Sequence, residues 1–389
     1  MVAPVSPTLS SPSPRQRGKH VTVAVVGSIA FDSVRTPFGE VERELGGSGL
    51  HAALTASFFT DVRLVAAVGE DFGPEHRRPL VERNVGTSAI AVVPGGRTLN
   101  WRVRYDLDMA LAQPEYLDLG VFAGWRPRLS PDVAAARTLF LGAMDPEAQM
   151  AVRARWKGDG WTVLDTLTYW VETKRQQLVE ALSMADIALL TDQEARGLVG
   201  EPSLLDASRE IQSWGPKVVV VKRGDNGCSL LTPDGYFALP GYPLETVVDP
   251  TGSGDSFAGG FIGYLDRVTQ AELTEAALRG AATYGTIMAS FCVEDFGARR
   301  TTGLTQYEID HRVAAFRRMT HFEHVPTGET PRVSDEADVR LERPQATPST
   351  RGFDSPSRTP STETRPGFAR TPGTEPMKII GNPSRDPSS

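Results

Sequence analysis

The residues most able to do chemistry stand in the run Val248-Asp249-Pro250-Thr251-Gly252-Ser253-Gly254-Asp255-Ser256-Phe257-Ala258-Gly259-Gly260-Phe261. A short apolar, turn-rich segment precedes it, and Phe257, Phe261, Tyr264 and Leu265 recur at helical spacing after it. Thr251 to Asp255 therefore reads as a loop that opens a helix. Its glycines let backbone N–H groups approach a ligand with no Cβ in the way. First-turn N–H groups lack intrahelical partners, and the helix dipole is positive at that end. Such a place suits an anion, most often phosphate. A carboxylate beside an anion needs a reason, and the chemical reason is a general base that takes the proton from a hydroxyl attacking phosphorus. Asp255 is placed for that. The plainer reading is a Gly-rich N-cap with a dipole-matched Asp, against which stand Asp249, Thr251 and the Gly259-Gly260 pair.

A parallel sheet must position this loop. Val21 to Val26 is an almost continuous apolar run ending at Gly27, the pattern of a strand covered on both faces. Asp32 follows shortly, where such a sheet binds ligands at its C-terminal edge; the alternative is a turn residue. Val34 to Leu45 is polar and broken by Pro37 and Gly39, as two flap strands would be. Gly46-Gly47-Ser48-Gly49-Leu50-His51 is a second glycine loop opening an Ala-rich helix. Arg97 to Asp108 alternates Leu99, Trp101, Val103, Tyr105 and Leu107 with polar residues, a period-two strand. From Thr138 onward strands alternate with helices, at 139–141, 162–164, 187–190 and 217–221, which predicts a mainly parallel sheet wrapped by helices. Helices are expected over 276–291 and 307–322.

The segment Asp249-x-Thr251-Gly252-Ser253-Gly254-Asp255 resembles the C-terminal signature of the PfkB/ribokinase family of carbohydrate and nucleoside kinases. The resemblance extends over about 20 to 322. It implies a ribokinase-like three-layer α/β fold with a small β-sheet lid, ATP and Mg²⁺ as cosubstrates, and phosphoryl transfer to a sugar hydroxyl, or in the nearest alternative to a nucleoside. A ligand-binding member without catalysis is the rival from another class.

Asp255 would be the base, and Gly252, Ser253 and Gly254 the anion hole, with Ser253 where the family more often has Ala. Gly46-Gly47-x-Gly49 resembles the N-terminal signature, so Asp32, Gly46, Gly47 and His51 would meet the substrate. His51 stands where ribokinases carry Asn, and its alternative is a packed helix histidine. Thr191…Glu194 aligns with the Asn-x-x-Glu motif, which puts Glu194 on Mg²⁺ through water; the alternative is an exposed first-turn acid. Lys222, Gly224 and Gly227 would lie on the nucleotide side. Asp249 and Thr251 would help to hold K⁺. Trp101 or Tyr105 either stacks on substrate or forms the apolar side of the lid. The family's lid can also serve as a homodimer interface.

The 389 residues carry a net charge of −7 and 40% hydrophobic residues, with no sustained basic stripe. Nucleic acid is therefore not expected as a partner. Cys228 and Cys292 stand far apart, which fits a reducing compartment and argues against a zinc site or a disulfide framework. No apolar run approaches the ~20 residues of a membrane span, and residues 1–19 lack the apolar core of a secretory signal. A cytoplasmic protein is expected. Composition marks 1–19 and the Pro/Ser/Thr-rich 325–389 as disordered, leaving 20–324 as the kinase domain, with lid elements near 33–45 and 95–110.

Overall fold

The computed structural model describes residues 21–109, 111–269 and 272–321, together with the backbone of 378–380. The terminal segments expected to be disordered, 1–19 and 325–389, lie outside the described residues apart from that last tripeptide. The strands are β1 (Val23–Val26), β2 (Ala30–Thr36), β3 (Gly39–Gly46), β4 (Val62–Val68), β5 (Gly86–Val92), β6 (Leu99–Arg104), β7 (Gln113–Asp118), β8 (Thr138–Leu141), β9 (Thr162–Asp165), β10 (Ile187–Thr191), β11 (Val218–Lys222), β12 (Cys228–Leu231), β13 (Tyr236–Leu239) and β14 (Lys378–Ile380).

Nine of them form one sheet in the order β13-β12-β11-β10-β9-β8-β1-β4-β5. Pairing is parallel from β5 through to β11, and antiparallel from β11 to β12 and from β12 to β13. A strand covered on both faces sends alternate side chains to two different cores. Val23, Val25, Phe140 and Val220 accordingly pack with Leu50, Phe257, Phe261 and Phe291 from the helices Ser48–Ala56, Ser253–Val268 and Glu275–Cys292. Ala24, Val26, Leu139 and Val221 pack with Val152, Leu178, Leu198 and Ile211 from the helices Pro146–Arg153, Arg175–Ser183, Asp192–Val199 and Leu204–Ser213. The result is the expected three-layer α/β fold. Among the described residues no helix is long and apolar enough to cross a membrane.

The second sheet is the small lid, in the order β14-β7-β6-β2-β3. The broken polar run became β2 and β3, and the alternating run became β6. β7 has no such signal, since Pro114 interrupts it and Leu117 is its one buried apolar residue. Lys378 to Ile380, assigned to the disordered tail by composition, pair in parallel with Tyr116 to Asp118. β7 would otherwise present an unpaired edge. Val34, Val103, Tyr105 and Phe296 form a small core between the lid and the loop after the helix Glu275–Cys292.

Candidate active site

Asp165, Thr191 and Lys222 are the last residues of β9, β10 and β11, side by side at the sheet's C-terminal edge, with Thr191 opposite Lys222 in register. Lys222 Nζ lies 2.8 and 2.7 Å from the two carboxylate oxygens of Asp165, and the Lys222 and Asp165 side chains are 11% and 1% exposed. Burial opposes the Lys222 charge, but Asp165, Glu194 and Asp255 together hold its pKa above the usual lysine value. Glu194 is buried rather than an exposed first-turn acid. It forms a capping box: Thr191 N–H donates to Glu194 Oε2 (2.8 Å), and Glu194 N–H donates to Thr191 Oγ1 (3.2 Å). Burial pushes the Glu194 carboxyl to about 7, with Lys222 opposing and Asp165 adding.

Asp255 sits in the first turn of the helix Ser253–Val268 and is half-buried. The protein crowded around it, then the charge of Asp165, push its carboxyl to about 7; Lys222 opposes and Glu194 adds. Gly252 precedes this helix at φ 76°, a left-handed conformation, and no side chain caps the first turn. A Cβ at Gly252 would lie 2.4 Å from His51 Nε2. Ser253 differs from its neighbours in the loop, because its N–H already donates to the Pro250 carbonyl at 3.2 Å.

Asp249 holds the loop from beneath. It is fully buried; its Oδ1 accepts from Thr251 N–H (2.8 Å) and its Oδ2 from Gly297 N–H (3.1 Å). The carboxylate thus joins the anion loop to the loop after Cys292. The Cys292 thiol faces the Thr251 carbonyl at 3.6 Å and His51 Nδ1 at 3.9 Å. His51 is 1% exposed, burial lowers its pKa to about 4, and its Nε2 has no hydrogen-bond partner among the described residues. The structure therefore places His51 under the anion loop as a neutral imidazole, beside Gly252.

Asp32 on β2 is 4% exposed and lies against the first glycine loop. A Cβ at Gly46 would fall 1.9 Å from Asp32 Oδ2, so only glycine leaves room for that carboxylate. Burial pushes Asp32 to about 8; Asp249 and Asp255 add to this, the Gly47 N–H bond opposes it, and Glu44 adds. A carboxyl whose folded pKa is raised stabilises the fold below the unfolded value, and that contribution is lost as pH rises through the folded value. For Asp32 the window runs from about 4 to about 8. Asp32→Asn should therefore gain stability relative to the wild type as pH rises from 4 to 8, as followed by thermal melts. A difference that stays constant with pH would contradict the buried, strained carboxyl.

The lid closes over this group. Tyr105, just after β6, is buried, and its hydroxyl pairs with Thr251 Oγ1 at 3.3 Å. Tyr105 is thus packed in the lid core rather than offered for stacking, and Trp101 is half-buried between two cores. Gly224 is exposed at φ 56° with open space beyond it. Gly227 is buried, and a Cβ there would meet the Leu239 carbonyl oxygen at 2.1 Å. Asp165 received no role from the sequence, although a carboxylate at a strand's C-terminal edge is the same signal that singled out Asp32.

The family model of the pfkB family carbohydrate kinases matches residues 147–303. The chain is 32% identical over 251 residues to the cytidine kinase of Thermococcus kodakarensis, covering 63% of this chain and 88% of that relative. It is 27% identical over 244 residues to the ATP-dependent ribose-1-phosphate kinase of Halopiger xanaduensis, covering 62% of this chain and 80% of the relative. The ribokinase of Giardia lamblia shares the fold, with a TM-score of 0.64 at 19% identity over 77% of this chain and 100% of that one. With its signature loop, its sheet and its lid, the chain belongs to the PfkB/ribokinase family and is a phosphotransferase that uses a hydroxyl acceptor.

Proposed function

We propose that the protein transfers the γ-phosphoryl group of ATP to a hydroxyl of a ribose ring, and that the ribose is that of a nucleoside. The observation that carries the phosphoryl chemistry is Asp255 at the uncapped start of the helix Ser253–Val268, beside the left-handed Gly252. The ribosyl acceptor is supported by two relatives, a cytidine kinase and a ribose-1-phosphate kinase, 88% and 80% of whose lengths this chain spans.

In this reading Asp32 accepts hydrogen bonds from substrate hydroxyls, with Gly46 and Gly47 giving the ring close approach to the backbone. A carboxylate can accept from two neighbouring O–H groups at once. Asp255 takes the proton of the attacking hydroxyl as its oxygen bonds to the γ-phosphorus; the bond to the β–γ bridging oxygen breaks and ADP leaves. The N–H groups of Gly252 and Gly254 face the charge that develops on the transferring group, with Ser253 holding the turn through Pro250. Positioning and electrostatics supply most of such catalysis. Gly224, at an exposed strand end, gives the nucleotide backbone access, while Gly227 holds the turn behind it.

Among the described residues no three His, Cys, Asp or Glu side chains cluster to hold a metal ion directly. Mg²⁺ retains much of its water shell, so Glu194, buried with one oxygen committed to the capping box, would hold it through water. Mg²⁺ would supply charge neutralisation on the phosphates. Asp249 and the Thr251 carbonyl provide oxygens suited to K⁺.

The test is coupled ADP release with ATP, Mg²⁺ and K⁺ against cytidine, adenosine, inosine, ribose, ribose 1-phosphate and fructose. Acceptor-dependent ADP with a nucleoside supports the reading. Turnover of free sugars alone would replace the nucleoside with a sugar, and silence with every acceptor would contradict the reading. The base must be ionised to act, so kcat/KM for the acceptor should fall as pH drops below about 7, the value to which Asp255 is raised. A profile flat from pH 8 to 5 would exclude Asp255 as the titrating base.

A further inference from the structure

An open sheet edge lets a second chain add through backbone hydrogen bonds alone. The lid's order, β14-β7-β6-β2-β3, puts β3 at one end and would put β7 at the other without β14. Neither face of the lid invites a partner. Val34, Val103 and Tyr105 turn inward to the small core with Phe296. Alternation sends Arg35, Arg102 and Arg104 the other way, where they pair with Glu40, Glu42 and Glu115 at 3.9, 3.5 and 3.6 Å. A partner laid on that face would have to strip water from these ion pairs, which is costly. The β3 edge protects itself. Glu40, Glu42 and Arg43 are exposed along it, Arg43 stands at φ 53°, and the pairing with β2 is irregular between Asp32 and Val34. The Leu45 carbonyl near its end accepts from Ala298 N–H at 3.2 Å. Charges and bulges of this kind deter an added strand. On β7, Pro114 and the exposed Glu115 guard only the start. Beyond them Tyr116, Leu117 and Asp118 follow β6 in regular register, and this is the stretch that Lys378 to Ile380 join.

From this geometry we infer that the tail strand Lys378–Ile380 is a cover built into the chain. It occupies the β7 edge of its own lid and so keeps that edge from pairing with the β7 edge of a second copy. Residues 322–377 join the strand to the kinase domain within one chain. Tethering raises the strand's effective concentration at its own lid and favours that lid over another molecule's. A pairing of three residues is short and weak by itself, so the cover is one that lifts and returns. The edge it closes belongs to the sheet whose β2 carries Asp32 and whose β6 leads into Tyr105. The tail therefore bears on the element that closes over the candidate site, and the state of association of the lid follows the state of the tail.

The test compares the full-length wild type with the double variant Ile379→Pro/Ile380→Pro and, as a control, Ser384→Pro/Arg385→Pro. Successive N–H groups point to opposite sides of a strand, so two adjacent prolines remove whichever donor faces β7. All four positions lie outside both cores of the main sheet, and thermal melts check that each variant is folded. Backbone hydrogen exchange is read by mass spectrometry on Tyr116 to Asp118, and light scattering over rising protein concentration gives the mass. The Ile379→Pro/Ile380→Pro protein is expected to exchange that stretch at least about tenfold faster than the wild type at low concentration. Its mass should then rise above that of the wild type as concentration increases, while the control behaves as the wild type. Equal exchange in wild type and double variant would overturn the inference, because the strand would not pair in solution. A fall in mass on proline substitution would also overturn it, because the strand would then serve the lid of a partner copy. Fast exchange with no gain in mass at any concentration would remove the edge-covering role. Exchange and mass are read without turnover, so a failure of the kinase reading leaves this test intact.

Discussion

Asp255→Asn should leave a folded protein that binds MgATP and turns over at a rate reduced roughly 10²–10⁴-fold, the usual contribution of a positioned general base. The substitution keeps the shape of the side chain and its place in the first turn and removes only the ability to take a proton. Two properties separate this outcome from general damage. The acceptor KM should change little, because Asp32 and the first glycine loop are untouched. Stability should rise rather than fall at neutral and higher pH. The Asp255 carboxyl is raised from 3.8 to about 7, so its ionisation opposes folding across that window, and asparagine has no such cost. Near-wild-type turnover would remove Asp255 from the mechanism, and a variant that melts well below the wild type at pH 8 would contradict the electrostatic account of its surroundings.

The second large effect is expected at Gly252. Alanine there must adopt φ 76° and place its Cβ 2.4 to 2.7 Å from three atoms of the His51 ring. The left-handed backbone costs roughly 1–2 kcal/mol for a non-glycine residue, and overpacking a filled site roughly 1–3 kcal/mol. His51 has nowhere to go, since it is buried in a helix whose residues are all buried. Gly252→Ala should therefore lower the melting temperature by several degrees. It should also cut kcat on the order of 10²-fold or more, the scale for losing one aimed backbone donor. The double variant Gly252→Ala/His51→Ala separates the two effects. Relief of the clash should make its stability loss smaller than the sum of the single losses, while kcat remains low because the loop backbone is still strained. Additive stability losses would show that His51 is not what Gly252 avoids.

How much of this was legible in the sequence follows from where the information sits. The main sheet was readable because its strands are short apolar runs with strand–helix alternation, and burial on both faces demands such runs. The glycine loop that opens the helix Ser253–Val268 was readable because a left-handed turn such as that at Gly252 demands glycine. The lid was readable in part: β6 alternates cleanly, whereas β7 carries Pro114 and a single buried apolar residue, so no period marks it. β14 was hidden because a three-residue strand gains its order from the edge it joins rather than from its own pattern. Among the site residues, Asp165 and Lys222 lie 57 positions apart and meet only because β9 and β11 flank β10. The capping of its own helix by Glu194 through Thr191 was legible in principle, since Thr-x-x-Glu is the pattern of a capping box. His51, which the resemblance puts at the substrate with a packed helix histidine as the alternative, is buried with its ring beside Gly252 of the second glycine loop, a contact between segments about two hundred residues apart that no local pattern encodes.

The central claim is that a sugar hydroxyl attacks the terminal phosphorus of ATP with Asp255 as the base. The most direct measurement is mass spectrometry of the acceptor after incubation with cytidine and ATP labelled with ¹⁸O in the γ-phosphoryl group, run in parallel with Asp255→Asn. The account predicts that wild-type protein converts cytidine to a monophosphate carrying the label, and that the variant yields product at a rate lower by two or more orders of magnitude. Labelled inorganic phosphate with no labelled acceptor, or equal product from both proteins, would contradict it.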